Sequence, residues 1–233
     1  MGGVGPSMGK RSTRAMAVTV GFLLLASFAG GEAQGQGVRL IPKAGLHVSV
    51  NDFGELRQEG APGAVELGRK SATAALGIGA EVNPPFLPFG ARATVTYGTA
   101  SPIPYVTEDC LDCRTRGDLL VATATGVFRP LPRLLVARPY LLGGGGIRRF
   151  GFDRSELVEE GVEGVLRDQT GPVAHVGGGL DLELDLLTAV IEVAGVVGRF
   201  EPGGGMRDGQ PVPSGSRETM TDVFVTAGLS FDL

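Results

Sequence analysis

The residues of this chain best equipped for chemistry are two histidines, a scatter of carboxylates and a pair of cysteines. His47-Val48-Ser49 sets a base two positions from a hydroxyl, a pattern compatible with an activated nucleophile. His175 is followed by Asp181 and Glu183, a base with two acids in reach of acid-base or metal work. Cys110 and Cys113 sit in Thr107-Glu108-Asp109-Cys110-Leu111-Asp112-Cys113-Arg114, a spacing shared by local disulfides, redox pairs and half-sites for zinc. Glycine runs at 143–146 and 177–179 have the composition of phosphate-cradling loops.

Most of these readings fail on what surrounds them. Zinc would want two further Cys or His ligands, and the only histidines are His47 and His175. A thioredoxin-type pair would sit beside a βαβ unit, and the sequence offers none. No Lys-Ser/Thr follows either glycine run, so no phosphate loop is expected. In an exported protein a tight disulfide between Cys110 and Cys113 is the expected state, with free thiols or metal as the alternatives. No metal and no cofactor are expected.

Export is itself an expectation from the N-terminus. Lys10, Arg11 and Arg14 supply a positive start, Ala15 to Phe28 an apolar stretch, and Gly31-Glu32-Ala33 small residues for cleavage. This predicts a secretory signal peptide over 1–33 and a single mature domain over 34–233. With a net charge of −4 and a pI near 5.3, the 233-residue chain offers no electrostatic case for nucleic acid.

The elements that must position the candidate residues alternate at period two. In the last eleven residues Val223, Val225, Ala227, Leu229, Phe231 and Leu233 form an apolar face, and Thr226, Gly228, Ser230 and Asp232 a small polar one. Eight such segments are expected, at 40–50, 72–82, 88–98, 118–129, 135–150, 172–184, 188–200 and 221–233. Their connections alternate long and short: long at 51–71, 99–117, 151–171 and 201–220, short at Asn83-Pro84-Pro85, Pro130 to Arg133 and Asp185 to Leu187. An up-and-down barrel across a membrane has that rhythm, with short turns on one side and long loops on the other.

The resemblance follows from these strands. Segments such as Arg138-Pro139-Tyr140-Leu141-Leu142-Gly143-Gly144-Gly145-Gly146 and His175-Val176-Gly177-Gly178-Gly179-Leu180-Asp181-Leu182 resemble strands of the small eight-stranded outer-membrane barrels of the OmpA, OmpX and OmpW kind. The resemblance covers 37–233 and carries no functional residue across. It implies an all-β, antiparallel, eight-stranded transmembrane barrel in the outer membrane of a Gram-negative-type bacterium.

Alternation then assigns faces. In the sixth segment Ala174, Val176, Gly178, Leu180, Leu182 and Leu184 should meet lipid, leaving His175, Asp181 and Glu183 inside. In the third, Phe89, Ala91, Ala93, Val95 and Tyr97 face out and Arg92 in; Lys43, His47, Glu81 and Glu192 are also expected inside. The fourth and fifth segments have no clear facing. An eight-stranded barrel is just wide enough for side chains to fill it, so these eight polar groups should pair and plug the lumen. Aromatic residues at strand ends (Tyr97, Phe150, Phe152, Phe200 and Phe224 by the long loops; Phe86, Phe89, Phe128, Tyr140 and Phe231 by the turns) are expected to form two interfacial girdles.

The expected function is that of a non-enzymatic, monomeric surface or structural protein. Its partners would be outer-membrane lipid, lipopolysaccharide and an extracellular ligand met by the loops. A small pore or conduit for small or apolar solutes is the alternative, and a secreted lipocalin-like ligand-binding barrel, with its faces inverted, the next. An enzyme acting on outer-leaflet lipid would place His47 and Ser49 at the outer rim, whereas alternation puts them inside and mid-strand.

Overall fold

The computed structural model describes residues 37–233 except 52–53, 58–63, 68–71, 85–86, 107–112, 132–135, 154–166, 185–186, 202, 204–205, 208–209 and 212–216. Twelve strands and no helix occur among the described residues. Eight of the strands close a barrel: β1 (Gly37–Ser49), β4 (Thr73–Asn83), β5 (Phe89–Val106), β6 (Cys113–Phe128), β7 (Ala137–Phe152), β8 (Gln169–Leu184), β9 (Leu187–Phe200) and β12 (Glu218–Asp232). Each pairs antiparallel with its neighbours, and β5 with β6 and β1 with β12 complete the ring. Closure leaves none of the eight with an open edge along the barrel, as a sheet in lipid requires.

All eight expected segments are strands, and several run further than alternation foretold. The clearest case is the expected loop 99–117. Past a bulge between Gly98 and Ser101, β5 and β6 stay paired from Ser101↔Gly117 to Tyr105↔Cys113, so much of that stretch is a hairpin rising beyond the rim. Pro102 and Pro104 hid it, being poor strand residues in general; here both are exposed on the outer face. Against this extension lies a small hairpin of β2 (Gly54–Arg57) and β3 (Ala64–Leu67), β3 pairing with β5 through Glu66↔Val106. A further pair, β10 (Met206–Arg207) and β11 (Gln210–Pro211), lies between β9 and β12.

Outward positions carry the apolar residues. Val225 is 45% exposed, Leu229 40% and Phe231 45%, while Thr226, Asp222 and Ser230 on the other face of β12 are buried. A soluble lipocalin-like barrel would show the reverse, so that alternative is overturned. The ambiguous strands resolve as well: Leu119, Val121, Thr123, Thr125 and Val127 of β6, and Tyr140, Leu142, Arg148, Phe150 and Phe152 of β7, point inward. Periodicity could not tell these apart because large apolar residues fall on both faces, Leu119 and Leu120 on β6 and Leu141 and Leu142 on β7.

A narrow barrel bends its sheet sharply, and interior glycines permit it. A Cβ at Gly144 would run into the carbonyl oxygen of Ala124, and one at Gly146 into that of Ala122. The same close approach marks the β1–β12 junction, where a Cβ on Gly45 would strike the carbonyl of Val225 and one on Gly228 that of Pro42.

The expected signal peptide, 1–33, and Cys110 lie outside the described residues, and Cys113 is described in its backbone alone, as the first residue of β6.

Candidate functional site

The lumen is where the polar side chains gather. β1 contributes Arg39, Ile41, Lys43, Gly45, His47 and Ser49 at successive inward positions, which spreads its charges along the barrel axis. At the end carrying the short turns, they meet a dense ionic layer. Arg92 Nε donates to Glu81 Oε2 at 2.7 Å, and its Nη1 donates to Glu192 Oε2. Glu192 also receives Lys43 Nζ (2.6 Å) and the Tyr140 hydroxyl (2.9 Å). Arg129 bridges Glu81 Oε1 (2.7 Å) and Asp181 Oδ2 (3.1 Å), and Arg39 Nη1 reaches the same Asp181 oxygen at 3.2 Å. The guanidinium carbons of Arg92 and Arg129 lie 4.9 and 5.5 Å from the Tyr140 ring centre. Apolar Ile41, Val127, Leu142 and Val190 pack between these groups.

Toward the loop end a second group forms around Asp222. His47 Nε2 lies 2.9 Å from Asp222 Oδ1, Ser49 Oγ donates to the same oxygen at 2.7 Å, and Arg148 Nη1 donates to Oδ2 at 2.8 Å. His47 stacks on Phe224 with ring centres 4.8 Å apart. Above lies an apolar stopper: Phe150 meets Phe200 edge-on at 5.5 Å, Phe152 is 6.3 Å from both, and Ile103, Leu119 and Met220 are buried.

Of the sequence-expected lumen residues, Lys43, Glu81, Arg92, Asp181 and Glu192 come together in the ionic layer. His47 stands apart with Asp222. His175 faces inward and lines a cavity of about 10 Å³ with Lys43, Thr96, Thr123 and Glu192, room for about one water molecule. Glu183 lies at the rim, where its partly exposed carboxylate takes a 3.4 Å contact from Arg138. Sequence reasoning missed Arg39, Arg129, Tyr140, Arg148 and Asp222. Arg39 and Asp222 share the parity of Lys43 and Thr226 on their strands, so the signal was present. Arg129 was hidden in a turn, and Tyr140 and Arg148 on a strand of ambiguous facing.

The expected girdles are corrected in part. Tyr97, Phe89 and Phe231 do face outward, 38%, 59% and 45% exposed. Tyr140, Phe150, Phe152, Phe200 and Phe224 are buried inside instead. For two of them parity was the signal: Phe224 lies on the Asp222–Thr226 face and Phe200 on the Glu192 face. Inside, Phe150, Phe152, Phe200 and Phe224 line the loop end of the lumen, Tyr140 belongs to the ionic layer at the turn end, and Arg148 stacks 4.8 Å over Phe150.

Chemically the charged groups are paired with one another, while Asp181 Oδ1, Arg148 Nη2 and His175 Nδ1 are buried without a hydrogen-bond partner. Ser49 gives its proton to Asp222 rather than to His47, so His47 and Ser49 do not form a base–nucleophile pair, and both are fully buried. Among the described residues no group of three His, Cys, Asp or Glu side chains could hold a metal. Buried ion pairs of this kind roughly offset their own desolvation, so they fill the lumen more than they stabilise it.

Comparison with solved structures identifies the architecture. The chain superposes on Neisserial surface protein A with a TM-score of 0.54 at 11% identity, covering 86% of this chain and 100% of that one. The outer membrane protein AlkL, determined in lipid bilayers, gives 0.54 at 14% identity over 100% and 97%. The outer membrane protein OprG from Pseudomonas aeruginosa gives 0.50 at 14% over 85% and 98%. No protein-family model and no curated sequence matches the chain. At these identities the likeness concerns the fold alone: the closed, eight-stranded barrel of small outer-membrane proteins.

Proposed function

We propose that the protein is a non-enzymatic barrel of a Gram-negative-type outer membrane, exported by the segment 1–33, monomeric, and acting at the cell surface through its loops. The observation that carries this reading is the contrast between its two faces. An apolar belt surrounds a lumen that the Arg92–Glu81–Glu192 layer closes at one end and the Phe150–Phe152–Phe200 stopper closes at the other. A side-chain-filled lumen favours a structural or binding role over conduction. The burial of His47 and Ser49 argues against lipid hydrolysis, since no acyl chain on the outer wall reaches them.

Fractionation of producing cells, with SDS gels run boiled and unboiled, tests the location. A membrane band whose mobility changes on boiling is expected; a freely soluble band without that shift overturns the reading. Planar-bilayer recording tests the closed lumen. A quiet membrane after insertion is expected, and regular open-pore steps would instead make transport the function.

A further inference from the structure

We propose that the outer wall of β6 to β9, at the loop end, docks the phosphorylated head of an outer-leaflet glycolipid, with lipopolysaccharide as its source. The inference rests on the outer-membrane reading above and names a partner surface that the reading leaves open.

On this sector the apolar belt stops at Ile147 of β7 and Val197 of β9, and the next outward residue on each strand is an arginine, Arg149 and Arg199. Both are exposed, Arg149 with 53% of its side chain accessible. Arg149 pairs across to Thr170 and Ile147 to Pro172, while Val173 pairs to Gly198, so the two arginines flank β8 from either side. From strand spacing and a two-residue offset their Cα atoms stand on the order of 12 Å apart. Exposed Thr170 lies between them as a further hydrogen-bond donor, and exposed Arg114, Arg116 and Arg167 extend the basic surface onto β6 and the start of β8.

The rest of the wall differs at the same level. There β12, the neighbour of β9, presents Thr219 and Thr221, β1 Val48 and Val50, and β4 Ala74, none of them charged. Asp168 engages Arg149 at 3.0 Å but also accepts the Phe152 N–H at 3.1 Å. An exposed pair of that kind contributes little and exchanges readily. Guanidinium groups at an interface suit phosphate because their planar fork donates two parallel hydrogen bonds to it. Their position at the edge of the apolar belt sets them level with lipid headgroups, which commits the partner to a lipid.

The test measures lipopolysaccharide retained by the refolded full barrel in neutral detergent, beside the same lipopolysaccharide stripped of its lipid A phosphates. Wild-type protein should retain the phosphorylated form at least about tenfold better, two charge-assisted contacts being at stake. Arg149→Gln with Arg199→Gln should fall to the dephosphorylated level, and Arg149→Lys with Arg199→Lys should keep part of the binding. Adding Val50→Arg and Ala72→Arg to the double Gln variant, on the far side of the rim, should restore nothing. Equal retention of both lipids by wild type, undiminished binding by the Gln variant, or recovery through the far-side arginines would each overturn the proposal. The boiling-dependent gel shift reads the barrel separately, so loss of this surface and loss of the outer-membrane reading give different results.

Discussion

At the turn end of the lumen three carboxylates, Glu81, Asp181 and Glu192, are shared among four cations, Arg39, Lys43, Arg92 and Arg129. At the loop end Asp222 alone serves Arg148, His47 and Ser49. The first arrangement is redundant: Arg92 touches both Glu81 and Glu192, and Arg129 both Glu81 and Asp181. The second hinges on one residue. Two polar layers of similar composition should therefore respond differently to the loss of one acid, because what matters is the charge left stranded afterwards.

The sharpest way to break that comparison is Asp222→Ala. It leaves Arg148, 2% exposed, without its carboxylate, and should cost about 3–5 kcal/mol. The loss would appear as a lowered urea midpoint for the folded form seen in unboiled samples, and a second change, Arg148→Met, should recover much of it. Glu81→Gln comes next. Each of its cations keeps another carboxylate, so about 1–3 kcal/mol is expected from the same titration. If Glu81→Gln proves as costly as Asp222→Ala, redundancy is not what separates the two ends.

Smaller effects sharpen it. Tyr140→Phe removes one hydroxyl donor from Glu192 and should cost about 1 kcal/mol. A double-mutant cycle with Glu192→Gln should show coupling between the two. Glu183→Gln, at the exposed rim, should change stability by less than about 0.5 kcal/mol, and a shift in thermal unfolding beyond that would bring Glu183 into the ionic layer after all.

Much of this was legible in the sequence where one face of a strand is apolar and the other polar. β12, β8 and β5 have that contrast, and the facing of Asp181, Arg92 and Thr226 follows from it. The legibility ends where the contrast does. β7 carries Leu141 outward and Leu142 inward, and β6 Leu120 outward and Leu119 inward, so Arg148 had no frame to be placed in. The aromatic residues illustrate a different gap. Their nearness to strand ends was read without their parity, yet parity alone separates outward Tyr97 from inward Phe224. The hairpin extension of β5 and β6 was obscured by prolines that the outer face of a two-stranded ribbon tolerates.

The junction of β1 with β12 bears on how such a wall is made. Seven of the eight contacts round the barrel join strands that follow one another among the barrel strands, and a turn or loop holds each of them near its mate. The eighth matches Val48 to Val223 and Leu46 to Val225, partners some 175 and 179 residues apart, with Gly45 and Gly228 letting the backbones meet. That zipper has no tether shorter than the whole domain, so its closure carries the largest loop entropy of all and comes late. A cell handling this chain must therefore shelter two unsatisfied strand edges until the first and last strands find each other.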